Sequence, residues 1–162
     1  KLGLREGFVD SKWLPDNPDL SPEWRIRLAL MGLGGAAFDY VDCGDLEIDS
    51  FDSFMSERAA SSDYNRVIKI LSANCGDKSA EFAREIFDNL ILFFQKLEVH
   101  RMMNILANEL IAKRKIQSKS GLNDDLKKLL LAEGVDYESI ERDYQALVSL
   151  MTEKLNCILA AE

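Results

Sequence analysis

Histidine is nearly missing from this chain. His100 is the only one in 162 residues, and cysteine and proline occur three times each. One imidazole leaves little room for familiar site chemistry. A Ser-His-Asp or Cys-His arrangement would rest wholly on His100, and its near carboxylate in sequence, Glu98, stands two positions away, nearly opposite on a helix. A structural zinc site takes about four Cys or His ligands, and this chain has only Cys43, Cys75, Cys157 and His100, scattered along its length. The Glu-x-x-His pairs of di-iron bundles and the His-Glu-x-x-His of zinc proteases do not occur. The expectation is a chain with no metal, no cofactor and no catalytic centre, and so not an enzyme.

The other absences are as informative. An odd number of widely spaced cysteines argues against a disulfide framework and for a reducing, cytoplasmic setting, where cysteines are small buried hydrophobes. No uninterrupted apolar run approaches the roughly 20 residues that cross a bilayer, so no membrane span is expected. The first residue is Lys1, with no charged-then-apolar leader, which suggests a trimmed chain or a domain of a larger protein or complex. Two of the three prolines fall within residues 1–20, which read as an extended lead-in, with Trp13 and Leu14 to pin it down.

What is present is helical. The apolar fraction of 47% is that of an ordinary globular protein, and 28 acidic against 20 basic residues give a net charge of −8. Ser21, Pro22 and Glu23 form a helix start: a capping hydroxyl, a proline at the first helical position and an acid in the first turn. Asp49 or Ser50 can cap a short helix bearing Phe51, Phe54 and Met55. Ser61 or Ser62 can cap another bearing Tyr64, Val67, Ile68 and Leu71. Gly44 and Gly76, in the similar "DCGD" and "NCGD" stretches, read as left-handed residues that end helices. A short helix around Leu126, Leu129 and Leu130 should end at Gly134, after which Asp136 caps the last helix. That helix carries the clearest stripe: Ile140, Tyr144, Leu147, Val148, Met151, Leu155 and Ile158.

From Ser79 to Gln117 neither Pro nor Gly interrupts the chain. Phe82, Ile86, Leu90, Phe93, Phe94 and Leu97 share one side of this helix. Beyond Leu97 the apolar side changes, and Val99, Met102, Met103, Leu106 and Leu110 cluster on the formerly polar face. The segment must then either bury two faces against two partners or kink near Glu98 to Arg101. His100 lies at that seam in a polar row with Lys96 and Asn104, where a hydrogen-bonded boundary histidine is the expected role.

Four features invite a functional reading. "MGLGGAAF" contains G-x-G-x-x-A in Gly32, Gly34 and Ala37, but a dinucleotide site needs those glycines between a strand and a helix with parallel strands alongside. Here the cap at Ser21 makes the stretch helical, and Gly32, Gly35 and Ala36 then allow close helix crossing or mark a break. The acidic stretch with Asp42, Asp45, Glu47, Asp49 and Asp52 is not an EF-hand, since Ser50 and Ser56 stand where its glycine and closing Glu belong. It reads as a solvated loop able to face a basic partner. Residues 111–128 carry Lys113, Arg114, Lys115, Lys119, Lys127 and Lys128 against Asp124 and Asp125, a net +4 that either completes a helix end or forms a polyanion-binding tip. The swapped stripe, with the adjacent Met102 and Met103, suits a second partner surface.

Together these predict an all-α, irregular bundle of about five to seven helices over residues 21–162, as one body or as two packed lobes joined by the long helix. The expected function is a non-catalytic protein-interaction or regulatory domain with a protein partner. Its candidate partner-binding residues are Lys113, Arg114, Lys115, Lys119, Lys127, Lys128, Val99, Met102, Met103 and Leu106. The alternatives are nucleic-acid or other polyanion contact through the basic tip at 113–128, and a nucleotide-binding enzyme using residues 32–37.

Overall fold

A computed structural model of the chain describes residues 20–42, 61–113 and 124–160. They form six α-helices: α1 (Pro22–Asp42), α2 (Ser61–Cys75), α3 (Ser79–Phe94), α4 (Leu97–Lys113), α5 (Asp124–Ala132) and α6 (Tyr137–Ala160). A single 3-10 turn, Gly76–Lys78, joins α2 to α3. The fold is the expected all-α bundle, with no strand among the described residues. The lead-in at 1–19, the short helix expected around Phe51 and Phe54, the acidic stretch with Cys43 and Gly44, and Arg114 to Lys119 lie outside the described residues.

The helix ends are local chemistry. The Ser21 hydroxyl accepts the Trp24 N–H at 3.4 Å, and the Asp136 carboxylate accepts the Ser139 N–H at 3.0 Å, each satisfying a donor that a helix start leaves over. Gly76 (φ 49°) follows α2, and Gly134 (φ 73°) follows α5. At Gly134 the next N–H, of Val135, returns to the Leu130 carbonyl at 2.8 Å, and the Gly134 N–H itself bonds Leu131. That pairing satisfies two end carbonyls of α5 and needs the left-handed residue between them.

The long uninterrupted segment is two helices. Helix α3 stops at Phe94, Gln95 and Lys96 turn, and α4 resumes at Leu97. The break lies just ahead of the expected 98–101. It is made without Pro or Gly: the Gln95 N–H still reaches Ile91, but the Lys96 N–H bonds Phe93, three residues back rather than four. This tighter turn redirects the axis, so the two apolar faces meet different neighbours. Leu97, expected at the end of the α3 stripe, is instead 72% exposed, because it lies past the turn.

Helix α1 runs through the middle, packed against α2, α3 and α6. Its Ile26, Ala29, Leu30, Leu33 and Ala37 join Val67 and Leu71 of α2, Phe82, Ile86 and Leu90 of α3, and Val148, Met151 and Leu155 of α6 in one core cluster. Burial of each large side chain there contributes about 1.5 to 3 kcal/mol. Polar ties between helices add to this core. Arg25, 5% exposed, donates to the carbonyls of Leu20 (3.2 Å) and Ile70 (3.0 Å), fastening the start of α1 to α2. Arg27 donates to Gln145 of α6 at 2.8 Å, Lys96 pairs with Asp143 at 2.7 Å, and Lys154 pairs with Glu85. Cys75 is buried in the core as expected, whereas Cys157 on α6 is exposed.

Candidate functional site

The glycine stretch that resembles a phosphate loop is the interior of α1. Its amides are engaged in helix, with no strand leading in, so the backbone has no route to cradle a pyrophosphate. Gly32 serves packing instead: a Cβ built there would fall 2.7 Å from Val67 Cγ2, so the missing side chain is what lets α2 lie close across α1. Of the three small residues expected as crossing points, Gly32 meets that role. Gly35 does not, since nothing approaches its Cβ position within 4 Å.

His100 is half-buried on α4 beside the C-terminal end of α1. The Asn104 amide lies 3.1 Å from Nδ1, and Nε2 faces Asp42 at 3.5 Å. If the amide nitrogen donates to Nδ1, the ring proton sits on Nε2, toward the carboxylate. The ring leans on Phe38, centroids 5.8 Å apart, and Phe38 meets Phe94 edge-on at 5.5 Å. These contacts make it a seam residue between α1 and α4, with no nucleophile beside it among the described residues. Among the described residues no cluster of three or more His, Cys, Asp or Glu is placed to hold a metal ion.

A polar row crosses the α6 surface. The Tyr137 hydroxyl donates to Glu141 at 3.0 Å, Gln145 donates to the other oxygen of Glu141 at 2.8 Å, and Arg27 joins Gln145 to Glu23. The Tyr144 phenol is raised above its ordinary value, first by burial, with Arg27 pulling it down and Glu141 pushing it up. Tyr137 is raised too, by burial and by the neighbouring Glu141. Both phenols therefore stay neutral at neutral pH, which suits packing and hydrogen-bond donation rather than proton transfer.

The predicted partner residues divide. Val99, 1% exposed, is part of the core, and Met102 and Met103 pack partly buried against it. The sequence-based assignment of Val99 to a partner surface is thus corrected: α4 lies against the chain's own core at its first turn. Leu106 is half-buried, and apart from Leu97 at its start the exposed large apolar residues of α4 are Leu110 and Ile111. Lys113 closes α4, while Arg114, Lys115 and Lys119 lie outside the described residues. Lys127 and Lys128 are exposed on α5, where Lys127 sits 5.5 Å from the centre of the Tyr137 ring.

The fold also presents a surface that the sequence patterns above do not single out. Trp24 is 59% and Met31 is 63% exposed, and with Leu28 and Gly35 they follow helical spacing down the outer side of α1. Leu28, Met31 and Gly32 also form one wall of an open groove of about 80 Å³, whose other wall is Asp63, Arg66, Val67 and Ile70 of α2. Two-sided helices bury apolar residues on one face and show polar ones on the other. Helix α1 departs from that rule, and the signal is present in the sequence as the 24-28-31-35 spacing. Compared with known proteins, the chain matches no family model, no curated protein and no solved structure.

Proposed function

We propose that this chain is a non-catalytic protein-interaction domain, at work within a larger protein or complex. The observation that supports the reading most is the apolar outer face of α1. A tryptophan, a leucine and a methionine occupy positions where a monomeric bundle would place charges. The exposed Leu110 and Ile111 give α4 a second, smaller apolar surface that extends the predicted Leu106. Of the alternatives, polyanion contact through the basic tip keeps the exposed Lys127 and Lys128 as its described contributors. It calls for salt-sensitive binding that charge reversal at Lys113, Arg114 and Lys115 removes.

The test is comparative capture. The full chain, its Met31→Lys variant and its Ile111→Lys variant are each used as bait, and the co-purifying proteins are quantified by mass spectrometry. Both substituted positions are mostly solvent-facing, so the fold should survive, as a thermal melt would verify. We expect a set of proteins held by the unsubstituted chain and lost with Met31→Lys. Identical sets on all three baits would reject an apolar docking surface at either place.

A further inference from the structure

Helix α1 receives the preceding chain at a fixed place. The Ser21 hydroxyl accepts the Trp24 N–H at 3.4 Å, and the Leu20 carbonyl accepts the Arg25 Nε–H at 3.2 Å, so residue 19 joins the bundle about one turn from Trp24. The apolar outer side starts there. It runs from Trp24 through Leu28 to Met31 and ends in the groove of about 80 Å³ beside Gly32, against Val67 and Ile70 of α2. The two charges that line the groove, Asp63 and Arg66, pair with each other at 3.5 Å. The groove therefore calls for an apolar side chain and not an ion.

The lead-in carries the matching chemistry. Leu2, Leu4, Phe8, Val9, Trp13 and Leu14 put six large apolar side chains into fourteen residues, more than a segment suited to stay in water carries. Then come Pro15, Asp16, Asn17 and Pro18, residue types that turn a chain. A reversal at 15–18 sends residues 14 to 1 back along α1. Val9 and Trp13 share a side in a strand and in a helix alike, since a spacing of four suits both periods. In an extended chain they stand about 13 Å apart, against a helix rise of about 12 Å from Trp24 to Gly32.

We infer that residues 1–14 fold back and dock on the outer side of α1, with Trp13 against Trp24 and Leu28, and Val9 in the groove beside Met31 and Gly32. The inference rests on the reading of this face as a docking surface and names the occupant that the chain itself supplies. Tethering selects that occupant: a segment joined through residues 15–19 meets the face at an effective concentration of about millimolar, which a second copy or a separate protein does not match in dilute solution.

The test is photocross-linking in the full chain at high dilution, with Trp13→benzoylphenylalanine as the probe and the products mapped by mass spectrometry. We expect cross-links within one chain to residues 24–32, with a yield that falls about fivefold or more with Met31→Lys and holds with Ile111→Lys or with added salt. Cross-links scattered over other helices, or a yield indifferent to Met31→Lys, would overturn the inference. So would cross-links found only between two chains, which would assign the face to self-association. Comparative capture with the same variants separates this from the interaction reading. Captured proteins that depend on Met31, without the cross-link, would overturn the inference and leave that reading standing. The cross-link, without such proteins on the unsubstituted chain or on Trp13→Ser, would support the inference and withdraw the partner from this face.

Discussion

Glycines two residues apart in one helix should respond to the same substitution in opposite directions. At Gly32 a methyl group would press on Val67 Cγ2, and a β-branched side chain has little freedom to turn away. We expect Gly32→Ala to lower stability by about 1 kcal/mol, the overpacking outweighing the gain in helix propensity. Adding Val67→Ala to it should relieve the clash. Gly34→Ala meets open space and should raise stability by about 0.5 to 1 kcal/mol. Urea midpoints at constant slope measure both. A stabilised Gly32→Ala would show that the α1 and α2 backbones are not tightly apposed at this crossing. His100 illustrates the same scale of reasoning: its polar neighbour Asn104 is readable from the one-turn spacing, but Asp42 and Phe38 come from a different helix, and no local pattern points to them.

At the scale of the element, starts and stops are legible in the sequence and directions are not. Ser21, Gly76, Gly134 and Asp136 each act within four residues of themselves, so their roles can be read without knowing the fold. We expect Asp136→Ala to cost about 1 kcal/mol and Asp136→Asn much less, since the amide oxygen can still accept the Ser139 N–H. Equal losses in thermal denaturation would mean that the charge, not the acceptor, matters there. The stripes of α2, α3 and α6 are also legible, because each packs on one side only. The turn at Gln95 and Lys96 falls a few residues from its expected place because nothing in its own chemistry breaks a helix. It is set by where α3 and α4 find their separate neighbours. For the same reason Val99 reads as available: a periodic apolar face says that something covers it, and only the folded chain says that the cover is internal.

At the scale of the whole molecule, the outer face of α1 is hidden in the sequence because the many apolar and small residues of this helix mark it as an interior one. It is the interior helix, ringed by α2, α3 and α6, and yet one side remains open. Truncating Leu155 or Met151, both fully buried on α6, should cost about 2 to 5 kcal/mol each as alanine, because that helix shares its core with α1 and α3. The exposed Trp24 and Met31 should tolerate alanine within about 0.5 kcal/mol. A large stability loss at Met31 would assign it to the core rather than to a partner.

The hydrogen bond from Arg27 to Gln145 spans 118 positions of sequence, which has a kinetic meaning. Helices α1, α2 and α3 can associate by closing shorter loops, whereas α6 must return across most of the polypeptide to reach them. We therefore expect Met151→Ala to accelerate unfolding with little change in the refolding rate, and Leu71→Ala to slow refolding, in stopped-flow chevrons. The reverse pattern would mean that the C-terminal helix nucleates the molecule instead of sealing it.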